Sequence, residues 1–207
     1  MPSLHDPIQL RCGATLKNRF ILSPLTNLQS HDDGVLSDEE FRWLTMRAEG
    51  GFALTMTCAA STQEEGVTFP GQLGFHDERH IPGLSRLASA IKAQGSHAVA
   101  QLQHGGLRAL KNPKAPSVDE KLKAEAMTLD EVQHARDGYI SAAQRAERAG
   151  FDGVELHGAH SYLICAFLSP ESNRREDAYG GSLENRARFL DECIDGVITR
   201  ALGRECI

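Results

Sequence analysis

At 207 residues, 41% hydrophobic and 24% charged, the chain is long enough to bury a sizeable core and has the profile of a soluble globular protein. Its net charge of -6 and pI near 5.8 leave no basic stripe of the kind that binds a phosphate backbone, which argues against nucleic acid and acidic membranes as partners. No apolar stretch approaches the roughly 20 residues of a membrane span, and the opening MPSLHDPIQL lacks a charged segment followed by an apolar one, so a cytoplasmic protein is expected. The five cysteines, Cys12, Cys58, Cys165, Cys193 and Cys206, are odd in number, widely spaced and form no C-x-x-C pair. Reduced, mostly buried thiols are therefore expected, rather than a disulfide framework or a zinc knuckle.

In chain order, four apolar or β-branched runs read as strands: Arg19–Ser23, Phe52–Thr57, His97–Leu102 and Phe151–His157. Each precedes a helical pattern. Ser37-x-x-Glu40 predicts a capping box for a helix running to about Glu49, and Thr128-x-x-Glu131 another for a helix running to about Ala149. Helices also fit Ile81–Gln94 and Ser182–Leu202. Three of the four helices run into a glycine and then a strand, at EGGF, QGSH and AGFD, as short loops after glycine C-caps require. Strand–helix alternation of this kind implies a parallel sheet covered by helices, either doubly wound or closed as a (β/α)8 barrel.

The loops favour the barrel. Segments after strands are long, Gly105–Met127 above all, whereas segments after helices are tight. Polar residues collect beyond several strand ends: Ser23 to Thr26, Thr57 with Cys58, Gln101 with His104, and His157 with His160. Chemistry spread over successive strand ends is the habit of a barrel, whereas a doubly wound sheet gathers its ligand at one switch point, often beside a G-x-G-x-x-G turn that is absent here. The expectation is an α/β chain of the TIM-barrel class covering about the first four βα units, with a fifth strand due where the sequence reaches Cys206 and Ile207.

The stretch Gly153–Pro170, GVELHGAHSYLICAFLSP, puts two histidines and a tyrosine at the end of a buried strand. Glu155 and His157 would share one face of that strand. Packing, acid/base work and metal binding are all open: with His104, the pair His157 and His160 would supply three ligands and an open position to a hydrolytic metal. Gln101, on an otherwise apolar strand, offers both donors and acceptors to a planar heterocycle. Gly180-Gly181-Ser182 could cradle a phosphate at a helix start, but a tight turn is preferred because no lysine follows. Asn173-Arg174-Arg175 reads equally as a solvated charge run and as a loop anchor.

The segments NRFILSPLTN, AQLQHGG, FDGVELHGAHSYL and FLSPESNRREDAYGGSLENRARF resemble the signatures of the old yellow enzyme family, FMN-dependent ene-reductases, from about Asn18 to the end of the chain. The resemblance implies a (β/α)8 barrel with FMN at its C-terminal mouth and residues 1–207 as the N-terminal half of that single FMN-binding domain. It also implies hydride transfer from NADH or NADPH to the β-carbon of an α,β-unsaturated carbonyl compound. Pro24, Leu25 and Thr26 would lie along the flavin, with Thr26, a cysteine in some members, at its O4 edge. Ala59, and beside it Ala60, matches a small residue next to the flavin, and Gln101 the glutamine on its pyrimidine edge. His157 and His160 match the pair that holds the substrate carbonyl oxygen, His157 being counted among the cofactor-binding residues as well, and Tyr162 the acid that protonates the α-carbon.

Leu28 stands where some relatives carry an aromatic residue near the substrate. The family's flavin-facing arginine and its phosphate-binding loops lie on later strands, so FMN binding by the chain alone is expected to be weak. Two competing readings remain. One is a self-associating half-barrel that catalyses nothing, and the other a metal-dependent hydrolase built on His104, His157 and His160. Small-molecule substrates and a homo-oligomer are the expected partners.

Overall fold

The computed structural model describes residues 3–200. A short antiparallel hairpin, β1 (Ile8–Gln9) and β2 (Thr15–Leu16), comes first. Three βα units follow: β3 (Ile21–Leu22) with α1 (Asp38–Glu49), β4 (Leu54–Ser61) with α2 (Ile81–Ala93), and β5 (His97–Gln103) with α3 (Leu129–Arg148). The loop after β5 carries a two-stranded parallel ribbon, β6 (Lys114–Ala115) and β7 (Glu125–Ala126). A fourth unit then consists of β8 (Gly153–Leu156), the short α4 (Leu163–Leu168) and α5 (Leu183–Arg200). The four unit-forming strands make one parallel sheet in the order β3-β4-β5-β8, each beside its predecessor in the chain, as four consecutive barrel units require.

Each expected strand and helix is present, with shifted ends. β3 is cut to two residues because Pro24 has no N–H to continue the ladder. β4 runs on to Ser61, through small residues that carry little strand signal, and its register slips between Met56 and Ala59 so that Thr57 and Cys58 form a bulge. The turns after α1, α2 and α3 place Gly51, Gly95 and Gly150 at φ +105°, +65° and +89°, the left-handed conformation that ends a helix cheaply only at glycine. Residues 201 and 202 of the expected last helix, and Cys206, lie outside the described residues.

The two faces of the sheet are chemically distinct. Ala98, Ala100 and Leu102 of β5 and Cys58 and Ala60 of β4 join the main core, where Leu84, Leu87 and Ile91 of α2 and Val132 and Tyr139 of α3 cover them. Each of those leucines is fully buried, which is worth about 2 kcal/mol apiece. The opposite, inner face carries Leu54 and Val99, sealed at its lower end by Leu16 of the hairpin. That hairpin was not foreseen, because two-residue strands leave no periodic trace. Further up the inner face, apolar residues give way to Gln101, Glu155 and His157.

Beyond β8 the chain is held by anchors. The Asn173 side chain, buried, donates to the carbonyls of Phe167 and Tyr179, both at 2.7 Å. Arg175 donates to the carbonyls of Pro116 and Met127 and pairs with Asp177, so Asn173-Arg174-Arg175 is a loop anchor. Gly180 and Gly181 form the tight turn expected of them. A Cβ on Gly180 would stand 2.0 Å from the Arg175 carbonyl oxygen, and Gly181 has φ +82°.

Candidate active site at the strand ends

Ala59 pairs in register with Gln101, and Gln101 with Glu155, so the three side chains stand in one row across the inner face. Glu155, between Val154 and Leu156, accepts a hydrogen bond from Gln101 Nε2 at 2.6 Å. The Gln101 carboxamide oxygen has no partner among the described residues. Glu155 was read only as sharing the His157 face. Its signal was an acid inside an apolar strand, which must find a donor when half-buried.

His157 follows two residues later and is tied to β5 through its own amide, which donates to the Leu102 carbonyl at 2.9 Å. Its Nδ1 accepts from the Ala159 amide at 3.2 Å. Burial, and then the neighbouring His160, holds the His157 pKa below the usual imidazole range, so the ring is neutral near pH 7. A neutral ring whose Nδ1 is an acceptor carries its proton on Nε2, and that atom lies 3.2 Å from His160 Nδ1. Tyr162 stands edge-on to His157 with ring centroids 5.0 Å apart.

The backbone makes this meeting possible. His160 and Ser161 both have φ +58°, a left-handed conformation that costs a non-glycine residue roughly 1–2 kcal/mol. The double turn folds residues 157, 160 and 162 onto one another. It is held by the Leu163 amide, which donates to the His104 carbonyl at 3.1 Å and starts α4 against the loop after β5. α4 itself escaped the sequence reading because six apolar residues are too few to show a helical period.

The other expected residues separate into two groups. Pro24, Leu25 and Thr26 follow β3 at the same end of the sheet, Thr26 and Leu25 exposed and Pro24 half-buried. Leu28, at φ +57°, is exposed as well. Ala60 does not reach the inner face: it packs in the helix-side core, since alternation past the bulge turns Ala59 inward and Ala60 outward. His104 also leaves the group. Its ring is buried against Gly66 and its Nδ1 accepts from the Gly106 amide at 3.0 Å. Among the described residues no three His, Cys, Asp or Glu side chains are grouped as a metal ion would need, which removes the three-histidine arrangement.

A model of the NADH:flavin oxidoreductase / NADH oxidase family matches residues 3–207. The chain belongs to that family. It is 38% identical over 203 residues to the probable NADH-dependent flavin oxidoreductase YqiG of Bacillus subtilis, a match that covers 94% of this chain and 54% of the relative. It is 42% identical over 201 residues to an NADPH dehydrogenase of Bacillus licheniformis, covering 94% and 59%. The fold superposes on the crystal structure of an old yellow enzyme from Pichia sp. AKU4542 with a TM-score of 0.89 at 32% identity, covering 96% of this chain and 56% of that one. The old-yellow-enzyme resemblance is thus correct, and the four units are a portion of a (β/α)8 barrel. The chain spans little more than half the length of these relatives. Among the described residues no helix is long and apolar enough to cross a membrane.

Proposed function

We propose that residues 1–207 form the N-terminal half of a single FMN-binding barrel domain that reduces the C=C bond of α,β-unsaturated carbonyl compounds with NADH or NADPH. FMN, when bound, would accept hydride from the nicotinamide and deliver it to the β-carbon of the enone. The residues present fit its ring: Ala59 leaves room on the inner face, the unpartnered Gln101 oxygen offers an acceptor to an imide edge, and Pro24, Leu25 and Thr26 border the same strand ends. Glu155 holds the Gln101 amide in orientation. His157 presents its Nε2–H toward His160, and a substrate carbonyl oxygen taking that donor would have its developing negative charge stabilised as hydride arrives. Tyr162 supplies the proton to the α-carbon. The observation that carries this reading is the His157–His160–Tyr162 cluster, two residues beyond Glu155 in the row that holds Gln101. The free thiols of Cys12, Cys58, Cys165 and Cys193 support a reducing, cytoplasmic setting.

The test is a barrel completed by joining the chain to the C-terminal part of the Bacillus licheniformis relative, with its two half-reactions followed by stopped flow. Tyr162→Phe should leave flavin reduction by NADH or NADPH nearly unchanged. Reoxidation by an enone should slow by roughly 10²–10⁴-fold, the usual contribution of a positioned acid, while reoxidation by oxygen stays near the parental rate. His157→Ala should instead weaken carbonyl-ligand binding and slow hydride transfer together. Equal slowing of oxygen and enone in Tyr162→Phe would show that the tyrosine is not the proton donor.

A further inference from the structure

A buried carboxylate that the proposed chemistry does not use lies behind the site. Glu40 is 0% exposed, although it is the third residue of α1 and the sequence pattern assigns it to a capping box. Half of that box is present: Ser37 Oγ accepts from the Glu40 amide at 3.1 Å. The carboxylate does not return to the Ser37 amide. Its Oε1 accepts from Asn27 Nδ2 at 3.3 Å and from Cys58 Sγ at 3.0 Å, and its Oε2 from Ser30 Oγ. Burial, reinforced by Glu40, pushes the Cys58 thiol well above its usual pKa and keeps it a donor. The α1 N-terminus favours an anion at this position.

The three donors come from two separate segments. Asn27 follows Thr26 directly and Ser30 lies in the same loop, and Cys58 occupies the β4 bulge directly before Ala59. We propose that Glu40 is a positioning residue that clamps the Thr26 loop to the β4 bulge, and so holds the Thr26 hydroxyl and the Ala59 surface at a fixed spacing along the flavin ring. This assignment rests on the proposed FMN site. A carboxylate suits the task because its two oxygens can accept from three donors at once, and hydrogen bonds to a charged group are stronger than neutral ones.

Two variants separate positioning from bulk stability. Glu40→Met keeps the length of the side chain and removes every acceptor. Glu40→Gln keeps an oxygen for Asn27 and Cys58, and its amide can donate to Ser30 Oγ. In the 207-residue chain, hydrogen exchange of the amides at positions 27–30 and 59–61 should speed up by roughly tenfold or more in Glu40→Met, remain near parental in Glu40→Gln, and stay unchanged in α3. In the completed barrel, the visible absorption band of bound FMN should shift in Glu40→Met and return in Glu40→Gln. Parental exchange and spectrum in both variants, or faster exchange spread equally over α3, would overturn the proposal. If Glu40→Met does not fold, Asn27→Ala and Cys58→Ala release one segment each. Each should loosen both segments, and an effect confined to the mutated one would equally overturn it. Should the completed barrel bind no flavin, the proposed function falls, while the exchange measurement still decides whether Glu40 joins the two segments.

Discussion

Burial brings the His104 imidazole down to about 4, because the ring is enclosed beneath the loop after β5, and the neighbouring Glu65 offsets only part of that effect. The folded pKa lies below the unfolded value of 6.5, so between pH 6.5 and about 4 the unfolded chain binds the extra proton. Stability therefore falls as the pH drops through this window and loses nothing more to this group below it. The gap corresponds to about 3 kcal/mol. His76, also near 4 through burial but partly exposed, adds a smaller loss in the same window. Urea unfolding of His104→Gln at stepped pH should give a flatter curve than the parent between pH 6.5 and 4, and identical slopes would refute the assignment. His157, His160 and Tyr162, which the fold brings together, were singled out by residue type and spacing alone. Glu40 was half legible: its amide takes the Ser37 cap that the pattern promises, but its carboxylate accepts from Asn27, Ser30 and Cys58, partners that a local pattern cannot show.

At the scale of elements, the Asn173 amide is the buried anchor of the segment between α4 and α5. Asn173→Ala would leave the carbonyls of Phe167 and Tyr179 without their donor in a buried place, and it would free the turn that delivers Gly180 to Arg175. The expected cost is about 2–4 kcal/mol, read as a lower urea midpoint with an unchanged slope. A change within about 0.5 kcal/mol would mean that water replaces the amide there. The Thr128–Glu131 box behaves as its pattern promised, with both bonds made, at 3.2 and 2.8 Å. An exposed cap is local chemistry and can be read locally. The bulge in β4 and the double left-handed turn at His160 and Ser161 are not local in that sense, since contacts with other strands and with α4 stabilise them.

For the whole molecule, β3 and β8 each pair on one side only among the described residues, and apolar side chains stand in water nearby: Ile21 is 44% exposed and Leu25 59%. Open strands of this kind recruit further strands. The 207-residue chain by itself should therefore associate at micromolar concentration, and light scattering that returns a sharp monomer mass would refute this. FMN titration followed by fluorescence quenching should show weak binding by the chain alone and tight binding by the completed barrel, since charge-assisted phosphate contacts are roughly twice as strong as neutral ones. Submicromolar affinity for the chain alone would mean that a phosphate site lies within these four units.

Alternation of strand and helix, glycine stops and tight returns determined from the sequence alone that the sheet is parallel and built unit by unit, because each of these signals is a property of neighbouring residues. The signature segments around Gln101 and His157 pointed in the same way to the family and the cofactor class. Only the tertiary structure decided which side chains share the inner face. It turned Ala60 and His104 away, brought Glu155 to Gln101, and gave Glu40 partners from segments 10 and 18 residues distant. A register slip of one bulge reverses every side chain beyond it, and a buried charge takes whatever donors the fold brings to it.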